Sequence, residues 1–170
     1  MKNIYLYGFM GTGKTTVAAI LARKLGAGLV DTDALIEKKE NRTISQIFAG
    51  SGEAYFRALE RSTLDELASR DGLVVSCGGG IPLAEENRRI LKGSRRAFWL
   101  TASPEEIFRR ISDDRTRPLL AGDMTVDRIK AMTNARESCY EAAGGVKTAT
   151  DGKTPESVAE EIISFFSSDR

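Results

Sequence analysis

Short β-rich apolar runs recur along the chain at Ile4–Tyr7, Leu29–Val30, Leu73–Ser76, Ala97–Leu100 and Val146–Ala149. Each is followed by residues at helical spacing or by a glycine-rich turn. Strands alternating with helices predict an α/β fold, a parallel sheet covered on both faces by helices.

Helix-start signals fall where that alternation needs them. Helices are expected over Thr16–Leu25 and Ala34–Glu40. Ser103-Pro104-Glu105-Glu106 combines an N-cap, a first-turn proline and a capping-box glutamate, and Thr154-Pro155 opens the last helix in the same way. Thr43 to Gln46 is a weaker capping box, and a further helix begins near Thr125. Between the helices starting at Pro104 and near Thr125, residues 113–123 are charged at the front and follow neither period, so they read as a lid over a site or as a plain surface connection. No repeat, low-complexity tract or Gly/Ser linker interrupts the chain, and one domain over 1–170 is expected.

Composition narrows the partners. With 25 basic and 24 acidic residues the formal charge is +1, which creates no long-range field for nucleic acid or an anionic membrane. Any anion must be gripped locally. No apolar run nears the roughly 20 residues that span a bilayer, and no long apolar stripe asks for a partner, so a monomer is expected. Cys77 and Cys139 form no CxxC pair, and the short stretch before Gly8 leaves little room for a signal peptide. The expected location is the reducing cytoplasm. The chain has no histidine, so any general base must be a carboxylate, a lysine or a thiolate.

Gly8-Phe9-Met10-Gly11-Thr12-Gly13-Lys14-Thr15 fits the phosphate-loop pattern GxxxxGK[ST], directly after an expected strand and before an expected helix. In such a loop the glycines let backbone N–H groups curl around a phosphate, Lys14 reaches the β- and γ-oxygens, and the Thr15 hydroxyl ligates magnesium.

The other candidates are weaker alone. In Asp31-Thr32-Asp33 both carboxylates point one way if the segment is extended, although Asp33 also suits the N-cap of the next helix. Arg57 and Glu60, three apart on a helix, read locally as an exposed ion pair. Cys77-Gly78-Gly79-Gly80 ends a strand where open α/β sheets place ligands, but a tight turn would look the same. Arg136, near Tyr140, reads locally as a solvated arginine.

In order and spacing, the phosphate loop, Asp31-Thr32-Asp33, Phe56-Arg57-x-x-Glu60, Gly78-Gly79-Gly80, Arg117-Pro118-Leu119-Leu120 and Arg136 before Tyr140 resemble the shikimate kinase family over essentially the whole chain. The resemblance implies a three-layer α/β/α fold whose five-stranded parallel sheet runs in the order 2-3-1-4-5. It implies ATP-dependent phosphorylation of shikimate to shikimate 3-phosphate, a step toward chorismate and the aromatic amino acids. ATP would lie against Gly11, Thr12, Gly13, Lys14, Thr15 and Thr16, with its adenine near Arg110, Lys153 and Pro155. Mg2+ would sit at Thr15 and Asp31, with Ser76 supporting its water shell. Asp33 would bind the ring hydroxyls and serve as candidate base, Arg57 and Arg136 would grip the carboxylate, and Gly78, Gly79 and Gly80 would close around the ring. Arg117 would come from the lid to the transferring phosphoryl group, so that Lys14, Asp33 and Arg117 form the catalytic set. Cys77 departs from the expected pattern and suggests sensitivity to thiol reagents.

The rivals are a kinase for a gluconate-like acid or for a nucleoside monophosphate, a nucleotide-dependent switch, and a binding module that has lost catalysis. A guanine-type switch should carry NKxD and DxxG, and neither occurs.

Overall fold

The computed structural model describes residues 1–113 and 124–167. Strands β1 (Ile4–Tyr7), β2 (Gly28–Asp31), β3 (Leu73–Ser76), β4 (Ala97–Thr101) and β5 (Val146–Ala149) form one parallel sheet in the order β2-β3-β1-β4-β5. Helices α1 (Lys14–Leu25), α2 (Thr32–Glu40), α3 (Ile44–Ala68), α4 (Glu85–Ser94), α5 (Pro104–Asp113), α6 (Val126–Ala142) and α7 (Pro155–Ser167) connect and cover it.

Alternation along the strands builds the layers. Ile4 and Leu6 of β1 join Phe98 and Leu100 of β4 in a core with Val17 and Leu21 of α1 and Val158 and Ile162 of α7. Tyr5, Tyr7, Val75 and Trp99 face the other way, onto Leu64 and Leu67 of α3, Leu91 of α4, Ile107 of α5 and Ile129 of α6. Every β1 side chain is therefore buried, as expected of a central strand with helices on both faces. A smaller cluster of Ile36, Ile47 and Phe56 ties α2 to α3.

The caps are where expectation and structure differ. Thr43 and Gln46 form a reciprocal capping box, and Thr125 and Thr154 cap α6 and α7 through the amides of Arg128 and Ser157 at 3.2 and 3.1 Å. At α5 only half the box forms. Ser103 Oγ accepts from Glu106 N at 3.3 Å, but the Glu106 carboxylate is taken by Arg109 and Arg110, and Ser103 N donates to Asp151 instead. Helix α1 begins at Lys14 rather than Thr16, and α2 at Thr32 rather than Ala34. Asp31, still extended at φ −103°, is the cap of α2, its Oδ1 accepting from Asp33 N and Ala34 N at 3.1 and 3.2 Å. The cap role weighed for Asp33 thus belongs to Asp31. Helix α3 breaks at Gly52 (φ 82°, ψ 171°). Of the expected lid, Asp113 ends α5, and residues 114–123, Arg117 among them, lie outside the described residues. Among the described residues no helix is long and apolar enough to cross a membrane.

Leu6 has no exposed surface and sits in the core shared by α1 and α7. Leu6→Ala is expected to lower stability by about 3 kcal/mol, within the usual range for a buried leucine. The check is the urea midpoint, which should fall with an unchanged m-value.

Candidate active site

The carboxyl ends of β1, β2 and β3 open onto one cavity of about 290 Å3 lined by Lys14, Thr15, Asp31, Asp33, Ser76 and Gly79, among others. The loop from β1 to α1 holds Gly11 and Gly13 at φ 74° and 91°, left-handed values at which a side chain would be strained. Such turns aim successive amides inward, and the start of α1 adds the positive end of its dipole. Buried Thr12 and the Lys14 ammonium both donate to the Phe9 carbonyl at 2.8 Å, so the loop's own side chains brace it.

Three oxygens from three elements meet beside this loop. Thr15 Oγ1 donates to Asp31 Oδ2 at 3.1 Å and lies 3.2 Å from Ser76 Oγ. Two hydroxyls and one carboxylate are hard donors, matching the few protein ligands Mg2+ takes when water and phosphate complete its shell. Among the described residues no group of three or more His, Cys, Asp or Glu could cage a metal by itself.

Asp33 reaches the same cavity for a different reason than strand alternation. Asp31 ends β2 while Asp33 stands in the first turn of α2, so the strand-to-helix junction brings the two carboxylates together. The glycine turn after β3 closes over Asp33 and Arg57. A Cβ on Gly78 would overlap Asp33 Oδ1, and one on Gly80 would overlap Arg57 Nη1.

Arg57 and Glu60 are not the exposed pair that local spacing suggested. Glu60 is 1% exposed, and its Oε2 accepts from Arg57 Nη1 at 2.7 Å, while Arg57 Nε and Nη2 donate to Glu53 at 3.2 and 2.9 Å. Two carboxylates thus fix the guanidinium. Burial pushes the Glu60 carboxyl above its ordinary range, Arg57 pulling the other way and the charge of Asp33 adding to the rise. Arg136 is no solvated arginine either. Its guanidinium lies 5.7 Å from the centre of the Phe9 ring, and Nη1 would be 4.0 Å from a Cβ on Gly79.

A second cleft of about 290 Å3 continues from the phosphate loop, with Gly13, Thr16, Arg110, Lys153 and Pro155 in its walls. Arg110 stands at the junction. Its Nη1 donates to Gly11 O and Thr150 Oγ1 at 3.2 and 3.0 Å, and its Nε donates to Glu106 at 2.7 Å. Hydrogen bonds from Arg109 and Arg110 hold the Glu106 carboxyl down at about 2. A third cavity of about 280 Å3, with Phe9, Trp99, Ile107 and Tyr140 in its walls, gathers none of these charged groups.

The structure thus brings the expected phosphate, metal and adenine residues and Asp33 into two adjoining clefts, while Arg57 and Arg136 stand against Gly80 and Gly79 of the glycine turn and Arg117 lies outside the described residues. Cys77 behaves differently from expectation. It is 1% exposed, and burial pushes its thiol far up, so no thiolate is offered to a reagent. Several supporting groups escaped the sequence reading. Glu53 carried no special mark, Glu106 was read as a capping-box acid rather than as the partner of Arg110, and nothing local gave Thr32 and Tyr140 their bonds to the glycine turn.

The comparisons with known proteins point to one family. The family described as Shikimate kinase matches residues 10–167. A shikimate kinase of Sulfurihydrogenibium sp. (strain YO3AOP1) is 42% identical over 163 residues, 96% of this chain and 96% of its own. One of Pelotomaculum thermopropionicum is 44% identical over 165 residues, 97% of this chain and 95% of its own. The solved shikimate kinase from Acinetobacter baumannii in complex with shikimate superimposes with a TM-score of 0.89 at 34% identity, covering 100% of this chain and 95% of that one. A gluconokinase from Sinorhizobium meliloti shares the fold alone, with a TM-score of 0.64 at 17% identity, covering 98% of this chain and 92% of its own.

Brief alkylation of the native protein with iodoacetamide should label half-buried Cys139 and spare Cys77 until urea is added. Peptide mass spectrometry reads the result, and early labelling of Cys77 would contradict its burial.

Proposed function

The chain belongs to the shikimate kinase family, and from that membership we propose how its own residues divide the work of phosphoryl transfer. The enzyme is an ATP-dependent phosphotransferase that converts shikimate to shikimate 3-phosphate. The observation that carries the assignment of roles is that the cavity shared by the phosphate loop and Asp33 is walled by a glycine turn against which Asp33, Arg136 and Arg57 all stand.

The amides of Gly11, Thr12 and Gly13 and the Lys14 ammonium cradle the ATP phosphates, with Thr15 and Thr16 at the helix start. Adenine lies in the second cleft against Arg110, Lys153 and Pro155. Thr15 and Asp31 would hold Mg2+, with Ser76 beside them, and the ion would supply charge neutralisation at the β- and γ-oxygens. Arg57 and Arg136 pair with the shikimate carboxylate. Two guanidinium forks suit a planar carboxylate, and each charge-assisted contact is worth about 1.5–3 kcal/mol.

Asp33 accepts a hydrogen bond from the reacting hydroxyl and aims its oxygen at the γ-phosphorus. The new O–P bond forms as the bond to the bridging oxygen breaks, the electron pair leaving with ADP and the hydroxyl proton passing to the Asp33 carboxylate. Lys14 stabilises charge on the transferring group, and Arg117 is proposed to do so from a lid over 113–123. Most of the acceleration comes from positioning and fixed positive charge. We further propose that 1–170 act as one domain, as a monomer in the cytoplasm, its partners being shikimate and ATP rather than nucleic acid or membrane.

ADP release from MgATP should be stimulated by shikimate and not by gluconate or CMP. Stimulation by another acceptor would keep the kinase and discard the roles given to Arg57 and Arg136. Asp33→Asn is expected to cut kcat by about 100-fold or more, as loss of a positioned base does, with ATP binding nearly intact by calorimetry. Arg136→Lys should raise the shikimate KM by about 10-fold or more and leave the ATP KM unchanged.

A further inference from the structure

The glycine turn that walls the acceptor pocket has no side chains with which to pack, so hydrogen bonds must set its position. On its far side, Ile81 N donates to Gly78 O at 3.1 Å and Leu83 N donates to Gly80 O at 3.0 Å, closing the one-turn 3-10 helix Ile81–Leu83. On the near side two side-chain hydroxyls take two more of its backbone groups. Gly78 N donates to Thr32 Oγ1 at 2.8 Å, and the Tyr140 hydroxyl donates to Gly79 O at 2.9 Å. Thr32 is 0% exposed and Tyr140 2% exposed, so both side chains that hold the turn are packed away from bulk solvent.

The two hydroxyls come from different parts of the fold. Thr32 opens α2 between Asp31 and Asp33, on the backbone that sets both carboxylates. Tyr140 lies on α6 one helical turn after Arg136. Tyr140 is itself fixed, its carbonyl accepting from the Tyr7 hydroxyl at 3.0 Å and its ring packing against Trp99 at 5.9 Å between centres. The turn is therefore tied on one side to the element bearing Asp33 and on the other to the element bearing Arg136.

We propose that Thr32 and Tyr140 are positioning residues for shikimate: their hydroxyls hold the glycine turn at the height at which Asp33, Arg57 and Arg136 address one ligand. The proposal rests on reading that turn as a wall of the acceptor pocket. Neither hydroxyl contacts the phosphate-loop amides, so their loss should act on the acid substrate and spare the nucleotide. Each variant used to test it is close to isosteric. Tyr140→Phe and Thr32→Val delete a hydroxyl, whereas Thr32→Ser keeps the hydroxyl and deletes a buried methyl.

The experiment measures KM for shikimate and for ATP, kcat and the melting temperature for these three variants, with Arg57→Lys alongside. Tyr140→Phe and Thr32→Val should each raise the shikimate KM about 10-fold, the loss of one buried hydrogen bond, with the ATP KM within about 2-fold of wild type. Thr32→Ser should melt earlier than wild type and keep the wild-type shikimate KM. Equal KM changes in Thr32→Ser and Thr32→Val, or parallel changes for both substrates, would overturn the proposal in favour of plain packing. If Arg57→Lys raises the shikimate KM while Tyr140→Phe and Thr32→Val leave it alone, the positioning role falls and the pocket stands. If Arg57→Lys also has no effect, the reading of the pocket fails and takes this proposal with it.

Discussion

The register of three neighbouring strands is the constraint on which the site depends. Leu6 of β1 lies opposite Ser76 of β3, and Ser76 lies opposite Asp31 of β2, so the strands finish level with one another. Only then can Thr15, reached through the loop after β1, meet Asp31 and Ser76 within 3.2 Å. Side chains alternate along a strand, so a slip of one residue at β3 would turn Ser76 into the opposite core and carry Gly78 away from Asp33. The buried faces of β1 and β3 forbid that slip, because it would exchange the residues of the two apolar layers. Hydrophobic pattern and site geometry are thus one specification.

Charge is the second constraint. A chain of formal charge +1 has little global field, yet it concentrates Lys14 and Arg110 in clefts that also hold Asp31 and Asp33, and Arg57, Arg136 and Glu60 against the glycine turn beside them. Each cation is steadied locally: Lys14 by the Phe9 carbonyl, Arg57 by Glu53 and Glu60, Arg110 by Glu106 and Thr150, Arg136 over the Phe9 ring. Fixing a guanidinium before the ligand arrives lowers the entropy lost on binding, which favours a small anion at modest total charge. Glu60 shows the cost of such steadying, since a carboxylate 1% exposed is tolerated only with its partner in place.

How much of this was legible in the sequence depends on how local each signal is. The phosphate loop, the five strands and the caps at Thr43, Thr125 and Thr154 are written in contiguous residues, and they stand where the pattern put them. The strand order came from resemblance, because alternation alone does not say that β3 inserts between β2 and β1. The cap weighed for Asp33 stands two residues earlier, because Asp31 and Asp33 are chemically alike and only the backbone angle at Asp31 separates them. The burial of Glu60, the shielding of Cys77 and the hydroxyl of Tyr140 aimed at Gly79 depend on residues far off in sequence, and no local spacing could announce them.

The strand order also has a consequence in time. β1 is finished by Tyr7, yet its partners arrive only with Val74 on one side and Ala97 on the other, and β2 pairs with β3 rather than with the strand before it. A chain leaving the ribosome therefore holds its phosphate loop beside a strand with no neighbour until β3 has been made. Closing loops of that length before any ladder forms is entropically costly, and high contact order of this kind slows folding. The brevity of the strands, four or five residues each, keeps that waiting strand a poor template for other chains.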